Sequence, residues 1–131
     1  MNTKQIGDIS EAFIAAELLK LGYSVSKPLG DNQRYDLIID DGNNFYRVQC
    51  KTVEIESNGS ISFQTCSSYT HRGGVKKSYL NEVEYIMAYC HTTGQVYFEK
   101  VDESTPKTQR TFVQSGKGIL ASDRLINKFV L

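Results

Sequence analysis

The chain has 131 residues, of which 40% are apolar and 23% charged, as is typical of one soluble globular domain. Its 15 basic and 15 acidic residues cancel, which argues against a protein that simply coats nucleic acid with a basic surface. No apolar run approaches the roughly 18 residues that a bilayer requires, and the N-terminus lacks a signal-peptide pattern. We therefore expect a cytoplasmic protein with no membrane partner.

Cys50, Cys66 and Cys90 are widely separated, so neither a disulfide framework nor a zinc site is expected.

The first predicted element is a helix over residues 3 to 21, which contains no proline and stops at Gly22. Two apolar stripes at helical spacing predict that this helix is buried on more than one side. The stripes are Ile9, Ala12, Phe13 and Ala16, and Ile14, Ala15, Leu18 and Leu21. Glu11 falls on the second stripe, where a carboxylate is costly unless something binds it. Asp8 is either a second helix acid in the site or a partner of the helix dipole, and the dipole role is favoured because first-turn acids usually have it.

The remainder of the chain is predicted to be mainly strands joined by polar turns. Two of the strands form a hairpin around the turn DGNN, and the strand after that hairpin is expected to be the third strand of the same sheet. A C-terminal helix is expected to open at Ser122 or Asp123 as its N-cap. One α/β domain over residues 1–131 is the resulting prediction. The expected strands are residues 23–28, 35–40, 45–52, 61–66, 84–91 and 95–101.

The register of the hairpin brings three polar side chains together. With Asp40 opposite Phe45, counting back places Asp36 opposite Gln49. Directly opposite residues on one face lie about 4.5–5.5 Å apart at Cβ. Gln49 and Lys51 share that face because strand side chains alternate with a period of two. Asp36, Gln49 and Lys51 are therefore predicted to converge on one patch.

Such a patch suits the hydrolysis of a phosphodiester by a bound metal. Mg²⁺ takes oxygen ligands and keeps several waters, so one or two carboxylates and a carbonyl suffice. The metal polarises a phosphoryl oxygen and acidifies a bound water, which Lys51 can orient or deprotonate while it neutralises developing charge. Glu11 completes the site if the helix packs beside the hairpin. We predict Glu11, Asp36, Gln49 and Lys51 as catalytic residues, with Glu11, Asp36 and Gln49 holding Mg²⁺ or Mn²⁺.

These residues carry a family resemblance. Asp36, followed after twelve residues by Gln49-Cys50-Lys51, resembles the PD-(D/E)XK nuclease signature, with Tyr35 in place of the proline. Glu11 matches the helix acid that many members carry upstream. The run GDISEAFIAAELLKLGYSVSKPLGDNQRYDLIIDDGNNFYRVQCKT resembles the group I intron-associated branch, the bacterial homing endonucleases, closely over about the first 52 residues.

The resemblance implies a restriction-endonuclease-like core, an α/β fold with a central mixed β-sheet flanked by helices. It also implies a metal-dependent, site-specific endonuclease that cuts double-stranded DNA and promotes intron homing. Archaeal Holliday-junction resolvases show a similar order of helix acid, Asp and ExK, so a junction resolvase is the alternative enzyme. The non-enzymatic alternative is a DNA-binding or assembly module that keeps the nuclease fold but has lost nuclease activity through Gln49.

One position departs from the family pattern, because Gln49 stands where Asp or Glu is usual. An amide oxygen can ligate Mg²⁺ but brings no negative charge. Weaker metal binding, a tolerated variant and loss of activity are the three possible consequences. The intron-associated branch tolerates Gln at this position, which favours a working nuclease.

Two polar loops are the candidate contacts to DNA. One directly precedes Asp36, and the other is a basic, Gly-containing loop between Tyr69 and Tyr79. The second loop is almost equally well explained as a solvated surface loop. The candidate DNA-binding residues are Asn32, Gln33, Arg34, His71, Arg72, Lys76 and Lys77.

Cutting both strands of a duplex needs two active sites, and one small chain offers one. A homo-oligomer is therefore expected, a dimer or a tetramer, and the resemblance favours the tetramer. The expected interface is the strand-rich second half, residues 85–101 together with residues 122–131. Its amphipathic aromatic side chains are Tyr85, Tyr89, Tyr97 and Phe98.

Overall fold

A computed structural model describes residues 1–68 and 76–131 of the chain. Five strands form a mixed sheet in the order β1-β2-β3-β7-β8, in which β3 and β7 are parallel and the other neighbours antiparallel. Two-stranded sheets pair β4 with β9 and β5 with β6. No helix in these residues is long and apolar enough to span a bilayer. The elements are α1 (Thr3–Lys20), β1 (Ser24–Ser26), β2 (Leu37–Asp40), β3 (Phe45–Val53), β4 (Ile61–Gln64), β5 (Cys66–Ser68), β6 (Lys76–Ser78), β7 (Tyr85–Cys90), β8 (Gln95–Lys100) and β9 (Gln109–Phe112).

The predicted first helix is confirmed, and both of its ends have local causes. Asn2 caps the N-terminus by accepting a hydrogen bond from the Gln5 backbone N–H, and the Gln5 side chain accepts one from the Asn2 N–H, both at 2.9 Å. At the other end the chain turns at Gly22 with φ +95°, a conformation that favours glycine. Helix α1 therefore starts and stops where its capping residues allow.

Only one face of α1 is buried within the chain. Ser10, Ile14 and Leu18 point into the protein, whereas Phe13 is 45% and Leu19 57% exposed. The prediction of burial on more than one side is wrong for the single chain, because the sheet covers one side of the helix only. The exposed stripe is still partly used, since the Phe13 ring stacks on an aromatic side chain of β7 at 4.3 Å.

The predicted hairpin is confirmed, but its successor is not the third strand of the same sheet. Asp40 pairs with Phe45 as counted. Strand β4 pairs with β9 instead of the main sheet. The strand conformation is interrupted at Thr65, before β5 begins. The Thr65 hydroxyl donates to the Pro106 carbonyl at 2.6 Å. This contact ties the break to a distant loop and explains why residues 61–66 are not one strand.

The described residues contain one α-helix, so the expected sheet flanked by several helices is corrected to a mixed sheet with a single helix. The C-terminal helix expected at Ser122 or Asp123 is replaced by two short 3₁₀ segments, Ala121–Arg124 and Ile126–Lys128. Leu125 between them is extended, with ψ 145°, and forms an isolated bridge with Tyr97 of β8. Pairing with the sheet takes the backbone out of the helical conformation at this point.

Core residues lie on both faces of the main sheet. One cluster packs α1 against it through Ile14, Leu18, Leu37 and Val48, among others. The second cluster joins the sheet to β4 and β9, and both clusters also receive residues of the C-terminal segment. Tyr85, Tyr89 and Tyr97 are buried in these clusters, while Phe98 is partly buried. An oligomer interface through those three tyrosines is therefore wrong, because their side chains already serve the core.

Adjacent leucines on α1 test the one-sided burial. Leu18→Ala is expected to lower the free energy of unfolding by about 2–5 kcal/mol, because it empties a fully buried site. Leu19→Ala makes the same change in helix propensity and is expected to stay within about 0.5 kcal/mol of the wild type. Urea unfolding measures both. An equal loss in Leu19→Ala would show that the outer face of the helix is covered in solution.

Candidate active site

Asp36 is the centre of the predicted site, and its position relative to β3 agrees with the counted register. Its backbone N–H donates to the Val48 carbonyl at 2.8 Å, just beyond the Leu37–Val48 pair at which the β2–β3 ladder ends. Its Oδ2 accepts hydrogen bonds from Gln49 Nε2 at 2.7 Å and from the Cys50 N–H at 2.8 Å. The carboxylate is thus fixed against β3 by one side-chain and one main-chain donor.

The electrostatic environment of Asp36 is unfavourable for its charge. Burial raises the pKa of this carboxyl above its ordinary value, although the Cys50 N–H acts in the opposite direction. The neighbouring Glu11 also raises the pKa of Asp36, whereas Lys51 and Lys27 lower it. A carboxylate in this setting is stabilised by any further cation that approaches it.

Glu11 and Asp36 line the same cavity, which has a volume of about 620 Å³. The helix that carries Glu11 is held beside the hairpin by a hydrogen bond of 2.6 Å between the Ser10 and Thr52 hydroxyls. The condition set by the sequence, that the helix packs beside the hairpin, is therefore met. The Glu11 carboxylate forms an ion pair of 2.5 Å with Lys27, and this contact raises the pKa of the lysine.

Asp8 lines the same cavity instead of serving the first turn of the helix. Helix α1 begins at Thr3 and has no acidic residue in its first turn, so the assignment of Asp8 to the helix dipole is wrong. Its partner is Lys4, at 3.6 Å across one turn. The helix starts at Thr3, as predicted, so Asp8 is its sixth residue and lies in the second turn.

Lys51 follows Gln49 on the same strand face, but its ammonium turns toward a different neighbour. The Nζ atom donates to the Tyr79 hydroxyl at 2.9 Å and lies 4.9 Å from the centre of the Tyr79 ring. Lys51 lines a neighbouring cavity of about 350 Å³ and not the one shared by Glu11 and Asp36. The structure therefore joins Gln49 to Asp36 by a hydrogen bond and Glu11 to Asp36 through a shared cavity, and it places Lys51 at the edge of that group.

The donor set fits a hard divalent cation. Within residues 1–68 and 76–131, no three His, Cys, Asp or Glu side chains converge in a way that could hold a metal ion. The predicted ligands are two carboxylates and the amide of Gln49, and Mg²⁺ needs no more than one or two carboxylates because it keeps several waters. The Asp36 carboxylate is half-buried and its charge is disfavoured by Glu11, so it is the group that such an ion would stabilise most.

The residues predicted to contact DNA have different surroundings. Arg34 is 3.1 Å from Glu82 and donates to the Lys77 carbonyl at 3.1 Å. Lys77 also pairs with Glu82, at 2.8 Å, and this contact holds the pKa of Glu82 below its ordinary value. Asn32, Gln33 and Lys76 are exposed, and Gln33 lines the cavity of Glu11 and Asp36. His71 and Arg72 lie outside the described residues.

Two residues near the site were missed by the sequence analysis. Lys27 precedes a proline at the end of the short first strand, and no pattern indicated that it pairs with Glu11. Tyr79 was noted only as the end of the basic loop, although its hydroxyl binds Lys51. An aromatic residue beside a basic run is too common a pattern to single out this contact.

Comparisons with known proteins agree with this geometry. Residues 1–117 match the PD-(D/E)XK endonuclease family. The bacterial homing endonuclease I-Ssp6803I has a TM-score of 0.81 at 26% sequence identity, over 95% of this chain and 89% of that one. Hjc, the Holliday junction resolvase of the archaeal hyperthermophile Archaeoglobus fulgidus, has a TM-score of 0.47 at 12% identity, over 79% and 82%. That resolvase is too distant to bear on function.

No curated protein sequence is significantly similar to the chain. The family match nevertheless covers nearly the whole length, from the N-terminal helix through the hairpin to residue 117. It includes each of the four predicted catalytic positions. The chain therefore belongs to the PD-(D/E)XK endonuclease family.

Proposed function

We propose that the chain is a metal-dependent, site-specific endonuclease for double-stranded DNA, of the homing type. The observation that supports this most is the Asp36 carboxylate, fixed opposite Gln49 and facing one cavity together with Glu11. The similarity to a bacterial homing endonuclease over 95% of the chain supports the homing class. Residues 1–131 form a single catalytic domain in this proposal.

Glu11, Asp36 and Gln49 would hold Mg²⁺ or Mn²⁺. When bound, the ion supplies a Lewis acid that polarises the phosphoryl oxygen and lowers the pKa of a bound water. Divalent metals are typical of PD-(D/E)XK nucleases. Lys27 engages the Oε1 atom of Glu11 at 2.5 Å, and the second oxygen of the carboxylate can serve as the ligand.

The amide of Gln49 has two roles in this proposal. Its nitrogen donates to Asp36 and orients the carboxylate, at 2.7 Å. Its oxygen accepts no hydrogen bond from residues 1–68 or 76–131, and is the atom that would act as a ligand. Because the amide brings no charge, the negative charge of the site comes from Glu11 and Asp36.

Lys51 would stabilise the charge that develops on the phosphate during cleavage. An ammonium has three donors and no acceptor, and one donor is used by Tyr79. The two others remain for the phosphate and for the attacking water. The DNA substrate follows from the family, and the two strands of a duplex call for two copies of this site, hence a dimer or a tetramer.

The proposed function is tested by a cleavage screen with Mg²⁺. Duplexes that carry intron-insertion sites are compared with random duplexes and with a synthetic four-way junction. We expect one duplex site to be cut on both strands while random duplexes stay intact. Cleavage of the junction alone would overturn the homing assignment and favour a resolvase.

Lys51→Ala is expected to lower the single-turnover cleavage rate by about 10²–10³-fold, because it removes a cation that stabilises the transition state. DNA affinity, measured without divalent metal, is expected to change little. Lys20→Ala removes an exposed lysine at the end of α1 and serves as the matched control. An undiminished rate in Lys51→Ala would remove this lysine from the catalytic set.

Gln49→Glu tests the neutral ligand position without relying on activity. In the metal-free protein it is expected to lower the free energy of unfolding by about 1–3 kcal/mol, because Asp36 loses a donor and gains a second carboxylate. Mg²⁺ is expected to raise the Tm of this variant more than that of the wild type. Gln95→Glu adds the same charge at an exposed position and should show no such gain. Equal metal-induced shifts in all three proteins would exclude Gln49 from the metal site.

A further inference from the structure

Tyr79 connects the proposed catalytic lysine to residues outside the hairpin. Its hydroxyl accepts a hydrogen bond from Lys51 Nζ at 2.9 Å, and the same nitrogen lies 4.9 Å from the ring centre. Tyr79 is only 3% exposed, although Lys51 lines a cavity open to solvent. A buried phenol therefore contacts a lysine that also lines a cavity.

The position of the Tyr79 ring is determined from several sides. Tyr79 belongs to the second core cluster together with Val83 and Ile86. Its carbonyl accepts hydrogen bonds from the Glu82 and Val83 N–H groups at 2.9 and 3.1 Å, which closes a turn directly after the residue. The ring and its hydroxyl consequently have little freedom to follow the lysine if the lysine moves.

Arg34 adds a second constraint on the same ring. Its guanidinium carbon lies 4.5 Å from the Tyr79 ring centre. The guanidinium is held in turn by Glu82 at 3.1 Å and by the carbonyls of Lys77 and Ser78 at 3.1 and 3.3 Å. The Arg34 guanidinium therefore lies over the face of the Tyr79 ring, a cation–π contact that suits a planar cation.

A fixed partner matters for a lysine more than for most side chains. The lysine side chain has a flexible four-carbon stem, and the ammonium otherwise samples many positions. Preorganisation of a charged group contributes to the rate because no reorganisation is then needed when charge develops. The phenol accepts only one of the three ammonium protons, so the lysine remains able to donate to a phosphate.

We propose that Tyr79, held in place by Arg34, is the positioning residue that fixes the Lys51 ammonium at the edge of the active site. This inference rests on the proposed catalytic role of Lys51 and extends it. Arg34 then serves the site through Tyr79, and its part in DNA binding is indirect. If Tyr79 were only a core residue, its hydroxyl would affect stability and leave the rate untouched.

Tyr79→Phe tests the inference because it keeps the ring and removes only the hydroxyl. The single-turnover rate at saturating DNA and Mg²⁺ is expected to fall about 10–100-fold. The Kd for DNA, measured without divalent metal, is expected to stay within about twofold, because the hydroxyl binds the lysine and not the DNA. Tyr97→Phe removes a hydroxyl from a buried tyrosine of the same cluster and should cleave at the wild-type rate.

A measurement without turnover separates this inference from the proposed function. In a ¹⁵N NMR spectrum, the Lys51 ammonium is assigned by its loss in Lys51→Met. It is expected to be slowed in hydrogen exchange in the wild type and to exchange faster in Tyr79→Phe. Absence of a protected signal in the wild type would overturn the contact, whether or not Tyr79→Phe folds.

The outcomes of the rate measurements are distinct. A slow Tyr79→Phe with unchanged DNA affinity supports the inference. Wild-type cleavage by Tyr79→Phe, beside an inactive Lys51→Ala, overturns the positioning role and leaves the proposed function standing. Equal slowing in Tyr97→Phe also overturns it, since the effect would then be one of core packing. A wild-type protein that cuts no DNA overturns the proposed function and this inference together.

Discussion

The position of β3 between β2 and β7 is the constraint on which the rest of the molecule depends. The strand is hydrogen-bonded on one side to its hairpin partner and on the other, in parallel, to a strand much later in the chain. Because side chains alternate along it, Val48 is buried in the core under α1 while Gln49 and Lys51 face the site. A slip by one residue would exchange these two sets and remove both the core contact and the site.

Charge is arranged locally in this protein, which explains how zero net charge is compatible with a DNA substrate. Acidic and basic side chains meet in pairs around the site, as Glu11 with Lys27 and Glu82 with Arg34 and Lys77. Each ion pair offsets the charge of its two groups until a more highly charged group binds in place of one of them. In the proposed function a divalent metal ion would be such a partner, since it carries twice the charge of one lysine.

Sequence reasoning was most successful where one local period determines the structure. The 3.6-residue period and Gly22 predicted α1, and the two-residue period predicted that Asp36 lies opposite Gln49. It failed where a distant contact decides the conformation. Thr65 breaks a strand because its hydroxyl binds the Pro106 carbonyl, and Lys51 turns toward Tyr79, 28 residues later. The stripe of Phe13 was read as buried because periodicity shows that a face is apolar but not whether anything covers it.

The parallel pairing of β3 with β7 also has a kinetic consequence. A hairpin can close within its own segment, but Val48 meets Tyr85 only after the intervening chain has been brought round. Loop closure of this kind is entropically costly and slows folding in proteins with many non-local contacts. The hairpin with Asp36 can therefore form early, while Tyr79 reaches Lys51 only with the turn that leads into β7. The acidic half of the site would assemble before its lysine is held, so under the proposed roles of Lys51 and Tyr79 the centre is complete only once β7 has joined the sheet.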